Sequence, residues 1–161
     1  MISIRPMSAE DWAQVEVIYR EGLRTGVATL EEEVPAFEKW DAAHSKSCRL
    51  VCAVDGEVAG WAALSPVSAR RVYAGVAEVS VYVGERFRGQ RVGETLLKAL
   101  CAESEKEGYW TLQSSVLEEN APSVALHHKC GFRTVGVRER IGRARGKWHN
   151  TLLLERRIPG D

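Results

Sequence analysis

Along residues 77–83 apolar and polar side chains alternate strictly. Ala77, Val79, Val81 and Val83 fall on one side and Glu78, Ser80 and Tyr82 on the other, the period of a strand with one buried face. Residues 93–107 carry their apolar positions at helical spacing and stop at Gly108, which predicts a long amphipathic helix. Upstream, Ile2 and Ile4 suggest a first strand. Ser8 with Asp11 resembles a capping box, and Trp12, Val15, Ile18, Tyr19 and Leu23 then recur at helical spacing. Residues 22–33 read as a loop or short helical region, and a helix is expected from Pro35 through Phe37 and Trp40. Residues 49–54 and 57–65 read as strands joined by the hairpin signal Asp55-Gly56. Residues 110–116 predict another strand. Asn120 then suits a helix N-cap, Pro122 its first turn and Gly131 its left-handed end. Two strands, 135–139 and 151–157, close the chain around a Gly- and Arg-rich connection. Strands followed by alternating strands and helices predict one mixed α/β sheet.

At 161 residues, undivided by linker, repeat or low-complexity segment, the chain is the size of a single domain that buries about 70% of its unfolded surface. Its 22 basic and 22 acidic side chains cancel, so no global field draws it to nucleic acid or a membrane surface. Basic groups do cluster at Arg86, Arg88 and Arg91 and again over residues 138–147. Interleaved glutamates weigh against nucleic acid as their partner. Cys48, Cys52, Cys101 and Cys130 fit neither a zinc pattern nor a secreted disulfide framework. Cys52 and Cys101 fall on apolar faces, where cysteine packs as a small hydrophobe, and no metal is expected. No apolar run is long enough to span a membrane, and the N-terminus leads into a strand; a cytoplasmic protein is expected.

The chemistry concentrates where the alternating strand meets the long helix. The intervening turn, residues 86–93, is rich in Arg and Gly. It brings backbone N–H groups and positive charge to a helix N-terminus, an arrangement that favours phosphate. The strand feeding it presents the carboxylate of Glu78.

Arg88-Gly89-Gln90-Arg91-Val92-Gly93 resembles the cofactor motif of the GCN5-related N-acetyltransferases: Gln or Arg, two residues, Gly, one residue, Gly or Ala. Arg91 stands where that family usually has a middle glycine. Residues 119–132, ENAPSVALHHKCGF, resemble the family segment in which an Asn opens a helix and meets the pantetheine arm. Residues 65–78 and the stretch Gly146-Lys147-Trp148-His149-Asn150 are similar to phosphinothricin acetyltransferases, nearest to the branch associated with arsinothricin resistance.

The resemblance implies a single GNAT domain over residues 1–161, with a mostly antiparallel mixed sheet flanked by helices and a splayed strand pair that holds acetyl-CoA. It implies Glu78 as general base and His127 as the group that protonates the departing thiolate. Val81, Tyr82 and Val83 are expected against the pantetheine, Arg88, Gly89, Gln90, Arg91, Val92, Gly93 and Glu94 around the pyrophosphate, and Asn120 on the pantetheine arm. Arg70 and Tyr73, with Ser80 and Tyr82, are expected at the substrate, a small amino-acid analogue bearing a side-chain anion. Thr29-Leu30-Glu31 resembles a family Thr-Phe-Glu, with Leu30 replacing the aromatic. Trp148 and His149 receive no chemical role. A homodimer follows from the resemblance alone. The expected function is N-acetylation of phosphinothricin, arsinothricin or methionine sulfone or sulfoximine by direct transfer. The alternatives are protein or peptide N-acetylation, at an N-terminus or a lysine, and a non-catalytic acyl-CoA-binding sensor.

Overall fold

A computed structural model of the chain describes residues 1–159; the expected domain end at Asp161 lies outside the described residues. The elements run β1 (Ile2–Pro6), α1 (Trp12–Thr25), α2 (Phe37–Ala43), β2 (Leu50–Val54), β3 (Glu57–Pro66), β4 (Val76–Val83), α3 (Val92–Lys106), β5 (Thr111–Leu117), α4 (Ala121–Lys129), β6 (Arg133–Ala144) and β7 (Lys147–Arg157). The strands form a seven-stranded sheet in the order β1-β2-β3-β4-β5-β7-β6. Every neighbouring pair is antiparallel except β4 and β5. This is the mixed α/β sheet that the strand and helix pattern predicts, mostly antiparallel as the resemblance implies.

The alternation of β4 sorts its side chains between two cores. Ala77, Val79, Val81 and Val83 pack with Leu96, Leu97 and Leu100 of α3. Tyr82 turns to the opposite face, among Tyr19, Trp61 and Val15 under α1. Trp61 and Tyr82 stack with centroids 4.9 Å apart. Gly22 of α1 is the residue that permits this approach, because a Cβ there would stand 2.7 Å from the Tyr82 ring. Ahead of α1, the Ser8 N–H donates to Asp11 Oδ2 at 2.8 Å, the backbone half of the expected cap. Arg5 grips the same carboxylate through two bonds of 2.8 Å, and that guanidinium, above all, holds Asp11 below the usual carboxylate range.

Two expectations need correction. The second helix begins at Phe37, not Pro35. Ala36 keeps an extended backbone, ψ 154°, as its N-cap, so Pro35 lies outside the helix. The closing strands are also far longer than the sequence suggests. β6 and β7 pair from Arg133 with Glu155 up to Ala144 with Lys147, turning at Arg145 (φ 53°) and Gly146 (φ 75°). Two successive left-handed residues make the turn whose twist matches a hairpin. The Gly- and Arg-rich connection is therefore strand, interrupted by a register shift between Arg138 and Gly142. Its backbone pairing does not depend on the alternating apolar side chains by which strands are recognised in sequence.

Candidate active site

β4 and β5 pair only at Val76 with Thr111, Ala77 with Leu112 and Glu78 with Gln113. Past Glu78 they diverge, and the main-chain edge of β4 facing the gap has no strand partner. The gap opens on a cleft of about 700 Å³ and, at its narrow end, a pocket of about 240 Å³. The phosphate turn and α4 flank the cleft, while the narrow pocket lies beside Glu78.

The cleft is bounded by Val81, Tyr82 and Val83 of β4, then Arg88, Gly89, Arg91, Val92, Gly93 and Glu94, with Asn120 and Leu126 opposite. Nearly all of the expected cofactor residues are thus brought together. Gln90 is the exception: its Nε2 donates to the Arg86 carbonyl at 3.1 Å, and it does not line the cleft. Arg86 also turns away, to Glu57 at 2.8 Å, which leaves Arg88 and Arg91 as the arginines facing the cleft. Arg91 caps α3 in the left-handed region, φ 64°. The first-turn N–H groups of α3 have no helical acceptor, so this corner offers donors and positive charge to a phosphate. Glu94 does not oppose that charge alone. Lys98 at 2.7 Å and Lys129 at 3.0 Å bracket it, and together they hold its carboxyl down at about 2. Asn120 accepts the Ser123 N–H at 3.3 Å as N-cap of α4. The open β4 edge and apolar cleft wall match the pantetheine of acetyl-CoA, and the donor-rich turn matches its pyrophosphate.

The narrow pocket gathers Glu78, Ser80 and Tyr82 from β4, Ser114 from β5, Thr29 and Glu31 from the α1–α2 loop, and His127 from α4. Glu78 accepts from Gln113 Nε2 at 3.1 Å, across the last paired rung. His127 is 4% exposed. Its Nδ1 lies 2.7 Å from the Ser123 carbonyl, which can only accept, so Nδ1 carries the hydrogen and Nε2 of the neutral ring carries a lone pair. Nε2 is buried without a hydrogen-bond partner. Burial, chiefly, pushes the His127 pKa down.

Arg70 and Tyr73 are not among the residues that line this pocket or the cleft. They lie on the segment before β4, the Arg70 guanidinium 5.7 Å from the centre of the Tyr73 ring, and Tyr73 is largely exposed.

The sequence reading gave no part to several residues that shape the site. Gln113 is one, visible only once the parallel register with Glu78 is known. Glu119 and His149 are others: Nδ1 of the buried His149 lies 3.0 Å from Glu119 Oε1, tying β7 to the cleft wall. Burial works to raise the Glu119 carboxyl, but its hydrogen bonds, including the one from His149, keep it below the usual range. Lys129 is a further cleft residue, signalled only by its place in the last turn of α4.

The model of the acetyltransferase (GNAT) family matches residues 12–132. The chain is 32% identical to phosphinothricin N-acetyltransferase of Alcaligenes faecalis, over 96% of this chain and 81% of that one. It is 28% identical to the L-methionine sulfoximine/L-methionine sulfone acetyltransferase of Pseudomonas paraeruginosa, over 95% and 92%. A phosphinothricin acetyltransferase from Sinorhizobium meliloti, solved in complex with acetyl-CoA, superposes with a TM-score of 0.89 at 28% identity, covering 98% of this chain and 88% of that one. By fold, by its split strand pair and by this match, the chain belongs to the acetyltransferase (GNAT) family.

Proposed function

We propose that this protein transfers the acetyl group of acetyl-CoA to the α-amine of a small amino-acid analogue of the phosphinothricin, arsinothricin or methionine sulfone type. The observation that carries the reading is one pocket, at the point where β4 and β5 part, lined by both Glu78 and His127, whose Nε2 has no hydrogen-bond partner among the described residues. Acetyl-CoA supplies the acetyl group as a thioester. A protonated amine has no lone pair for that carbonyl, so Glu78, directly or through water, takes the proton. Backbone groups alternate along Val81 to Val83 between β3 and the open edge, and an amide N–H on the open edge can polarise the carbonyl. His127 completes the proton balance. It begins as an acceptor, so it must gain a proton from the reacting nitrogen before giving one to the leaving sulfur. Arg70 is proposed for the substrate's side-chain anion, which requires its guanidinium to leave the Tyr73 ring.

A pocket of about 240 Å³ is below the usual range for drug-sized ligands, which favours one small amino acid over a peptide. No cysteine lies in β4 or the phosphate turn, which favours direct transfer over an acyl-cysteine route. We also propose a cytoplasmic homodimer, supported by the exposed apolar side chains along the edge strand β6; no helix among the described residues is long and apolar enough to cross a membrane.

The test is release of free thiol from acetyl-CoA with phosphinothricin, arsinothricin, methionine sulfone, methionine sulfoximine and the common amino acids as acceptors. Turnover on the analogues is expected. Turnover on peptide N-termini alone would favour peptide acetylation, and acetyl-CoA binding without any turnover would favour the sensor. Arg70→Ala is expected to raise KM for the anionic analogues about ten- to a hundredfold, the worth of one charge-assisted hydrogen bond, and to affect methionine sulfone less.

A further inference from the structure

The narrow pocket holds a second carboxylate, Glu31, and no lysine or arginine lines it. Glu31 lies on the α1–α2 loop, at the open side of the pocket, and three contacts hold it there. The Tyr19 hydroxyl donates to its Oε1 at 2.9 Å. Its own N–H donates to Thr29 Oγ1 at 3.1 Å. From the tip of the β6–β7 hairpin, the Arg145 guanidinium donates to the Glu31 carbonyl at 3.4 Å and to that of Leu23 at 3.2 Å, while the Arg145 N–H donates to Glu32 Oε1 at 3.0 Å. The hairpin tip therefore straps the loop from outside and Tyr19 fixes the carboxylate from beneath.

Two carboxylates near one another do not define a ligand. The third group does. His127, more than nine-tenths buried, lines the same pocket, and its Nε2 carries a lone pair with no hydrogen-bond partner among the described residues. A desolvated acceptor without a donor is costly, and a ligand that brings N–H groups removes the cost. Glu78, Glu31 and Nε2 of His127 are all acceptors, and an ammonium is a compact donor of up to three hydrogen bonds. With Glu78 and His127 already occupied with the departing protons, one anionic acceptor remains that has no part in the proton balance.

We infer that Glu31 is the anchor for the substrate's ammonium group: it binds the amine as a cation and keeps the nitrogen within reach while Glu78 takes the proton. Tyr19 is its positioning residue. The inference rests on the proposed function for the class of amine, and it adds a residue and a selectivity rule: the pocket itself recognises the positive charge, and anion recognition lies outside it.

The experiment compares L-methionine sulfone with 4-(methylsulfonyl)butanoic acid, the same molecule without its amine, on the wild type and on Glu31→Gln and Tyr19→Phe. Binding of each compound to the CoA complex is measured by calorimetry, and turnover of the sulfone by thiol release. Glu31→Gln is expected to raise KM and Kd for the sulfone about ten- to a hundredfold, by more than it lowers kcat. The affinity for the des-amino acid and for acetyl-CoA is expected to stay within about twofold. Tyr19→Phe, which leaves the charge but frees its direction, is expected to raise KM by a smaller factor. Equal weakening of both compounds would make Glu31 a packing residue and overturn the assignment, as would an unchanged KM. Wild type that binds the amine in preference to the des-amino acid yet never acetylates it would overturn the proposed function and leave the ammonium site standing. Wild type that binds neither would overturn both.

Discussion

Arg91 occupies the left-handed region at φ 64°, where an L side chain costs about 1–2 kcal/mol. A glycine there would remove that strain but lose about 0.5–1 kcal/mol to its own unfolded-state freedom. Arg91→Gly is therefore expected to be neutral or stabilising by up to about 1 kcal/mol, while Arg91→Ala keeps the strain and loses only the charge. Denaturant melts of both variants check the conformational term. Their shared change in acetyl-CoA affinity, read by calorimetry, isolates the charge; a cofactor loss seen with Ala and not Gly would contradict the account. Glu78→Gln keeps size and polarity but removes the proton acceptor, so kcat should fall by about a hundredfold or more. Acetyl-CoA affinity should not follow, and an unchanged rate at saturation would dismiss Glu78 as base. Glu78 and Arg91 were legible because each sits in a local pattern, an alternating strand and a glycine-spaced turn. Gln113 was not, because its part depends on a parallel register, and Glu31 was legible only within the Thr29-Leu30-Glu31 motif, because its hold comes from Tyr19, twelve residues away in the chain.

At the level of elements, the β6–β7 hairpin reaches both walls of the site. Arg145 straps the α1–α2 loop, and His149 meets Glu119 beside the cleft. Gly142 lies under Leu30, whose Cδ1 would stand 2.4 Å from any Cβ placed there. This arrangement predicts that Arg145→Ala loosens the loop without unfolding the sheet. KM for the amine is expected to rise several-fold while the melting temperature moves by only a few degrees, since the variant keeps the backbone bond to Glu32 and removes only two guanidinium–carbonyl bonds, at 3.2 and 3.4 Å, whose partners are not fully buried. A fall in melting temperature with no change in KM would show that the strap serves stability instead. The sequence read these strands as two short pieces because their inner halves carry Arg, Gly and Lys in place of alternating apolar residues. The hairpin Asp55-Gly56 was legible where Arg145-Gly146 was not: both turns use two left-handed residues, but aspartate is a familiar occupant of the first position and arginine is not. The β4–turn–α3 unit, by contrast, was read within a residue or two, because both of its periods are uninterrupted.

For the whole molecule, two histidines, the buried His127 and the partly buried His44, set the response to acid. Burial, chiefly, lowers the pKa of His44 and of His127, and each Nδ1 is bonded to a backbone carbonyl of its own helix, at 2.7 Å in both cases. Unfolded histidine titrates near 6.5, so below that pH the unfolded chain binds protons that the fold does not. Stability should be full above about pH 6.5 and fall as the pH drops toward the lowered folded values. Asp11 and Glu94, also lowered, extend the loss below about pH 4. A melting temperature that stays flat from pH 7.5 to 5 would refute the histidine part. The outer boundary of the fold carries the remaining prediction. β6 ends the sheet with twelve residues and leaves Val135, Val137 and Ile141 about half exposed. Apolar side chains on a long edge strand mark a surface that natural sheets pair, cover or charge; here Arg138, Glu139, Arg140 and Arg143 stand among and beside the three and leave them half exposed. Light scattering should accordingly give twice the 17.9 kDa chain mass, and Val137→Lys should shift it toward the single chain while the far-ultraviolet spectrum stays unchanged. A wild type that remains monomeric at high micromolar concentration would remove the dimer from the account and leave the site, which one chain builds by itself, as described.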